Sequence, residues 1–401
     1  MNNRQAVPVH GESRRKSNRA FWRLLPGFAV FGLLFGVWQV LLTDLSRELD
    51  LSPGPLGLAI SAGFVASFPL MIVAGAVADR WGQRRVAAGS AALLGSVFAG
   101  FAFVPSYLIL IVLLVAFFGA SGVFDVVINA AAMTLEQRSA HGVLPLFHAG
   151  FSGGAAAGAL GAGGLLAVGV EFRLIYLGVG ALVWIVGASL WFDPFLGAQA
   201  VARSGGRRSG LELFRMRALM VVALITGMAF LLEGIMETWS VVYLRASLEM
   251  TAIVGALGGA IFHLAMMAGR LGTAALVVRW GRIDSLRIAG SVAAIGMLWA
   301  LATVREPLIL TGFLIVGLAL SAVAPIAFSL AGDLAPGRTG EASAVLTTIG
   351  YSGFLIGPAL LGGLAEVAGL RAALLMAAVA GVSIALLARS IQTSGVPIHR
   401  R

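Results

Sequence analysis

Cysteine is absent from this chain of 401 residues, and lysine occurs once, at Lys16. The first absence excludes disulfides, thiolate nucleophiles and cysteine-held metals. The second leaves nearly all of the basic charge to arginine. Charge of either sign is scarce: 11% of residues, against about 25% in an ordinary soluble domain. The local patterns of catalysis and of nucleotide-driven work are missing as well. There is no P-loop, no HExxH and no GxSxG, so direct ATP drive and enzymatic hydrolysis are not expected, and no metal or cofactor is called for.

What remains is apolar. Hydrophobic residues make up 59% of the chain and the mean hydropathy is +0.95. A bilayer span takes about 20 such residues. Twelve runs of that kind can be marked, at 23–43, 55–78, 86–104, 106–134, 146–169 and 173–192, then 218–243, 252–276, 285–303, 307–332, 341–364 and 371–389. They divide the chain into a basic tail (1–20), a six-helix bundle (21–192), a Gly/Arg-rich linker (193–217), a second bundle (218–389) and a short tail (390–401). The first tail reads as disordered, and the first apolar run as a retained span, not a cleaved signal. The net charge of +10 then reflects topology, not nucleic-acid binding. With both termini inside, 23 of the 28 Lys and Arg fall on the cytoplasmic side. Arg47, Arg173, Arg245, Arg305 and Arg371 fall outside. That asymmetry predicts cytoplasmic ends, and the protein is expected in the plasma membrane, the inner membrane where there are two.

Between the second and third runs lies GAVADRWGQRR, Gly75 to Arg85. So charged a segment belongs in water, as a tight turn at the membrane face. It returns as AALVVRWGRID, Ala274 to Asp284, with Arg80-Trp81-Gly82 reappearing as Arg279-Trp280-Gly281. ELDLS (Glu48–Ser52) likewise matches SLEMT (Ser247–Thr251), and GFSGGAAAGAL (Gly150–Leu160) matches GYSGFLIGPAL (Gly350–Leu360). Six spans have been duplicated as a parallel repeat, an arrangement that places a transport site between halves at mid-membrane.

The GxxxDRxGxRR pattern, on Gly75, Asp79, Arg80, Gly82, Arg84 and Arg85, resembles the signature loop of the major facilitator superfamily. FDVVINA (Phe124–Ala130), FHAGFSGG (Phe147–Gly154), EGIMETWSVVYLR (Glu233–Arg245) and GYSGFLIGP (Gly350–Pro358) resemble its rhizopine-transporter-like branch, and distantly the fucose permeases. Two features differ: Thr238, not an acid, precedes Trp239, and no arginine stands at Val40 to Thr43. The resemblance implies an all-α protein of two pseudo-symmetric six-helix bundles. It also implies that the loop (Gly75, Asp79, Arg80, Gly82, Arg84, Arg85, with Arg279 and Gly281 in the second copy) latches helix ends in one state and releases them in the other. A solvated turn that only orients the chain is the other reading, since an exposed ion pair contributes about 0–1 kcal/mol. Gly75 would allow close helix approach and Gly82 the sharp turn. Val278 stands where Asp79 does, so the second latch is expected to be weaker.

Ionisable side chains inside apolar runs need a partner or a cavity, because each costs roughly 2.5–3.5 kcal/mol at mid-bilayer on insertion scales. Asp125 and Asn129 lie one turn apart, as do Glu233 and Glu237. Asp125, Glu233 and Glu237 are the candidates for proton coupling, although solvation near the outer face or a hydrogen bond to a neighbouring helix would also accommodate an acid. Trp38, Gln39, Asn129, His148, His263 and Trp239 are the candidates for solute contact. Interfacial anchoring fits the tryptophans equally well, and satisfied packing the histidines. Arg270 either snorkels or pairs with an acid across the bundle. Gly150, Gly153, Gly154, Gly158 and Gly350, Gly353, Gly357, Gly362 crowd the fifth and eleventh spans, and Pro325 and Pro358 are kink points.

Together these features predict a secondary active transporter of a small polar solute, sugar-, polyol- or amine-like, driven by protons through alternating access. Contacts are expected from the first, fourth, seventh and tenth spans, and the protein is expected to work as a monomer in the lipid bilayer. Export of drug-like or metabolic compounds on the same fold, and a transport-inactive membrane sensor or scaffold, are the competing readings.

Overall fold

The computed structural model describes residues 10–138, 143–197 and 210–393, and among these there are helices and no strands. Ten helical segments are long and apolar enough to cross a membrane. One of them, Ala252–Leu301, bends at Gly281 (φ 74°, ψ 169°) and holds two spans. The helix Leu144–Ala167 is a twelfth, its hydropathy diluted by glycine. In chain order the spans are α1 (His10–Glu48), α2 (Pro53–Trp81), α3 (Gln83–Gly100), α4 (Tyr107–Arg138), α5 (Leu144–Ala167) and α6 (Phe172–Trp191). The second set is α7 (Arg217–Val242), α8 (252–280), α9 (282–301), α10 (Glu306–Leu334), α11 (Thr339–Ala368) and α12 (Leu375–Thr393). Helix α1 begins at His10, within the stretch expected as a disordered tail. Residues 1–9, 394–401 and 198–209, which include the linker arginines Arg203, Arg207 and Arg208, lie outside the described residues.

The duplication is written into the backbone. Gly82 and Gly281 both adopt positive φ (87° and 74°), as do Asp50 and Glu249 (50° and 52°) and Gly169 and Gly369 (84° and 80°). These pairs are 199 or 200 residues apart, so equivalent turns close equivalent spans. Packing repeats in the same way. Helix α1 lies on α5 as α7 lies on α11, α2 on α4 as α8 on α10, and α3 on α6 as α9 on α12. Across the halves, α5 meets α8 and α11 meets α2, the relation a two-fold between bundles requires.

Glycine sets the closest of these approaches. A Cβ on Gly36 of α1 would collide with the carbonyl oxygen of Ala155 on α5, and one on Gly57 of α2 with that of Pro358 on α11. Gly75 plays no such part: the space around it is open. Pro358 lies inside α11, where proline forfeits an intrahelical hydrogen bond. The next amide, Ala359 N–H, donates across the halves to Ser61 Oγ at 3.0 Å. In α10 the helix breaks at Ser321–Ala322, and Pro325 sits in the first turn of the continuing segment, Val323–Leu334, where it is tolerated.

Candidate functional site

Three helices of the first half present one face each at the spacing of a helical stripe. These are Phe28, Phe31 and Phe35 of α1, then Phe64, Ser67 and Met71 of α2, and Phe118, Ser121 and Asp125 of α4. With His148 and Phe151 of α5 they form one wall of a cavity of about 210 Å³. The second half supplies Glu233 and Glu237 of α7, Arg270 of α8, and Tyr351 and Phe354 of α11. Helix α10 adds nothing to this lining, contrary to expectation: it packs against α8 and α9, and α11 stands at the cavity. A recess of about 20 Å³ adjoins it, lined by Trp38, Gln39, Thr238 and His263 and sharing Glu237 with the larger space.

Rings join the halves at this level. Phe64 stacks on Phe354 at 5.8 Å and Phe68 meets Tyr351 edge-on at the same distance. Among the charges, Arg270 Nη2 is 3.8 Å from Glu233 Oε1, and its Nη1 donates to Ser152 Oγ at 3.2 Å. Thus Arg270 pairs with an acid of its own half and touches the other half through a hydroxyl. Asn129 Nδ2 donates to Asp125 Oδ1 at 2.8 Å. Asn129 therefore holds the carboxylate and does not line the cavity, where it was expected to meet solute. The Glu237 carboxylate has no hydrogen bond or ion pair to any described residue. Ser121 is 4% exposed and its Oγ lacks a partner, as do Gln39 Nε2 and Trp38 Nε1 in the recess.

Trp239 is not at the site. It is fully buried among core side chains, and its Nε1 has no partner. Two residues on from Glu237, the helix has turned about 200°, away from the cavity. His263 is 4% exposed in the recess, and His148 stands in the larger cavity with its ring edge-on to Phe28.

The termini share one end of the bundle, and the opposite end is shut. Arg245 Nη1 and Nη2 donate to Asp44 Oδ2 and Oδ1 at 2.6 and 2.8 Å, and Nη1 also donates to the Val40 carbonyl at 2.7 Å. Arg47 Nη2 reaches the Arg245 carbonyl at 2.6 Å, and Gly54 N–H donates to Glu366 Oε2 at 2.9 Å. Arg245 sits on a π-helical turn, Tyr243–Ser247, at the end of α7, and only 6% of its side chain is exposed. Hydrogen bonds and ion pairs between described residues of the two halves all lie at this end or at the level of Ser152 and Arg270. At the terminal end the signature loop is open. Asp79, Arg80, Arg85 and Arg279 are exposed, and no described residue forms an ion pair with Asp79. Arg84 lies over the Trp191 ring, 5.8 Å from its centre. Val278, at Asp79's place in the second copy, is 88% exposed.

Two duplicated bundles of membrane-length helices around a central cavity are the architecture of a membrane transporter, and sequence comparison gives the family. The model of the Major Facilitator Superfamily matches residues 24–358, and the chain belongs to that superfamily. An uncharacterized MFS-type transporter of Yersinia pestis is 30% identical over 368 residues, 91% of this chain and 94% of its own. Membrane protein MosC of Rhizobium meliloti is 28% identical over 360 residues, 89% of this chain and 86% of its own. Among solved structures, the nucleoside transporter NupG superposes with a TM-score of 0.76 at 15% identity, over 93% of this chain and 99% of its own. A bacterial homolog of the human lysosomal transporter Spinster, inward-facing and unoccupied, gives 0.75 at 14% identity, over 94% and 98%.

Proposed function

We propose that this chain is a secondary active transporter, both termini cytoplasmic, that carries a small polar solute across the plasma membrane by alternating access coupled to protons. One observation carries the reading: cross-bundle pairs close one end of the space between the duplicated halves, while at the other end the signature loop is unpaired. The positive-inside asymmetry makes that open end cytoplasmic, so the conformation is inward-facing, as in the Spinster homologue. Opening outward requires breaking the Asp44–Arg245 pair and parting α2 from α11 at Gly57. Closing inward would bring Asp79 and the loop arginines within reach of neighbouring helix ends. Glu233 and Glu237 are one turn apart in a low-dielectric space, where like charges repel and a proton relieves the repulsion. Arg270 beside Glu233 competes with that proton.

Glu233→Gln keeps the shape of the site and removes the charge. In proteoliposomes, the expected outcome is loss of solute-driven proton movement, read with an internal pH dye, while exchange of unlabelled for labelled solute continues. Proton movement equal to the wild type would remove Glu233 from the coupling. The aromatic wall gives a specific reason to keep export of drug-like compounds as the second reading, and the direction of the driving gradient separates the two.

A further inference from the structure

The lining of the central cavity is unbalanced in two ways. Eight of its side chains are rings of phenylalanine or tyrosine, contributed by both halves, and among the described residues that line it there is no asparagine, glutamine, threonine or tryptophan. A sugar or polyol is held by a fan of amides and hydroxyls; this lining has no side-chain amide, and its hydroxyls are those of Ser67, Ser121 and Tyr351. Its ionisable groups are Asp125, Glu233 and Glu237 against Arg270, with His148 beside them. Arg270 is already engaged by Glu233, at 3.8 Å, and by Ser152. Asp125 is held by Asn129. That leaves the Glu237 carboxylate without a protein partner, at the junction of the cavity and the recess.

Two further polar groups are unpartnered. Ser121 Oγ is buried on the cavity wall and Gln39 Nε2 in the recess, and neither has a hydrogen-bond partner. Three carboxyl groups to one arginine, ring faces that attract cations and two unpartnered polar groups favour a single chemistry. We propose that the cavity is a binding site for a protonated arylalkylamine. Its ammonium lies between Glu237 and the rings of Phe35 and Phe354, and its aromatic body lies among the remaining phenylalanines. A ring hydroxyl meets Ser121 or Gln39. This assignment names the solute class of the transporter proposed above and rests on that reading for its place in transport, not for the binding itself. The amine and the coupling proton then compete for the same carboxylates.

Three probes of one shape separate the charge from the ring: tyramine (cation), tyrosol (neutral) and 4-hydroxyphenylacetate (anion). Binding to the purified full chain is measured by calorimetry and by the shift in melting temperature. Tyramine is expected to bind at least about tenfold more tightly than tyrosol, equivalent to roughly 1.4 kcal/mol, and the anion not at all. Glu237→Gln should remove the preference of tyramine over tyrosol while leaving tyrosol binding in place. The proposal is overturned if tyrosol or the anion binds as well as tyramine, or if none of the three binds. The wild-type comparison stands even if the variant fails to fold. Exchange of radiolabelled tyramine in proteoliposomes tests transport separately. Binding without exchange upholds the amine site and sinks the carrier reading, whereas exchange of sugars with no tyramine binding does the reverse.

Discussion

At the scale of single residues, the pair that governs the shut end is Asp44 with Arg245. The fork of the guanidinium meets both carboxylate oxygens, and Val40's carbonyl takes a further hydrogen bond. Removing one member of a buried pair leaves the other charge uncompensated, at a cost of about 3–5 kcal/mol. In the proposed cycle that cost falls on the closed state alone, because the pair would have to separate for the end to open. Asp44→Asn should therefore raise the outward-open population. The natural absence of cysteine makes the test clean: Thr43→Cys places a lone thiol at a fully buried position beside the pair. Its reaction with a water-soluble maleimide is expected to quicken at least about tenfold when Asp44→Asn is added, and an unchanged rate would show that the pair does not hold the end shut. Asp44 and Arg245 escaped the sequence reading because they are 201 positions apart, and each alone looks like a loop charge. The phenylalanine stripes were legible, since 28, 31 and 35 recur at helical spacing, as do 118 and 121 with Asp125. The pattern was masked by the general apolarity of the spans.

Among helices, glycines do two different jobs that their spacing does not distinguish. Gly36 lets α1 lie against α5 within one bundle, whereas Gly57 lets α2 lie against α11 across bundles. A methyl group at Gly36 overpacks an interface that the proposed cycle leaves intact, so Gly36→Ala should lower the melting temperature, the loss being about 1–3 kcal/mol. A methyl at Gly57 would oppose only the inward-facing arrangement of the proposed cycle. Gly57→Ala should leave melting within a few degrees of the wild type and accelerate labelling of Thr43→Cys. Equal melting losses in both variants, with no change in labelling, would mean that α2 and α11 never part. The expectation that glycine-crowded α5 and α11 pack closely agrees with the structure except at Gly153, which has open space around it. Gly75 does not share in it: the stretch expected as a turn from Gly75 is helical as far as Trp81, the chain turns only at Gly82, and no neighbouring helix packs on Gly75.

For the whole molecule, the prediction concerns sidedness. Val168, in the turn after α5, is 78% exposed at the end opposite the termini, and Arg80 is exposed at the terminal end. In intact cells an impermeant maleimide should label Val168→Cys and spare Arg80→Cys until the membrane is breached; the reverse pattern would invert the topology and with it the direction in which the cavity faces. What the amino-acid sequence determined by itself is the architecture. Twelve apolar runs, an arginine asymmetry and a repeat of 199–200 residues dictate two six-helix bundles, because hydrocarbon tolerates little else and each half must obey the same rules. Even the turn at Gly82 was readable, since its second copy at Gly281 needs the same backbone. Tertiary structure alone decided which side chains meet. Trp239 went to the core, Arg270 to Glu233, and Arg245 across the bundle to Asp44, because helix rotation and the pairing of helices set those partners, and neither is encoded in local periodicity.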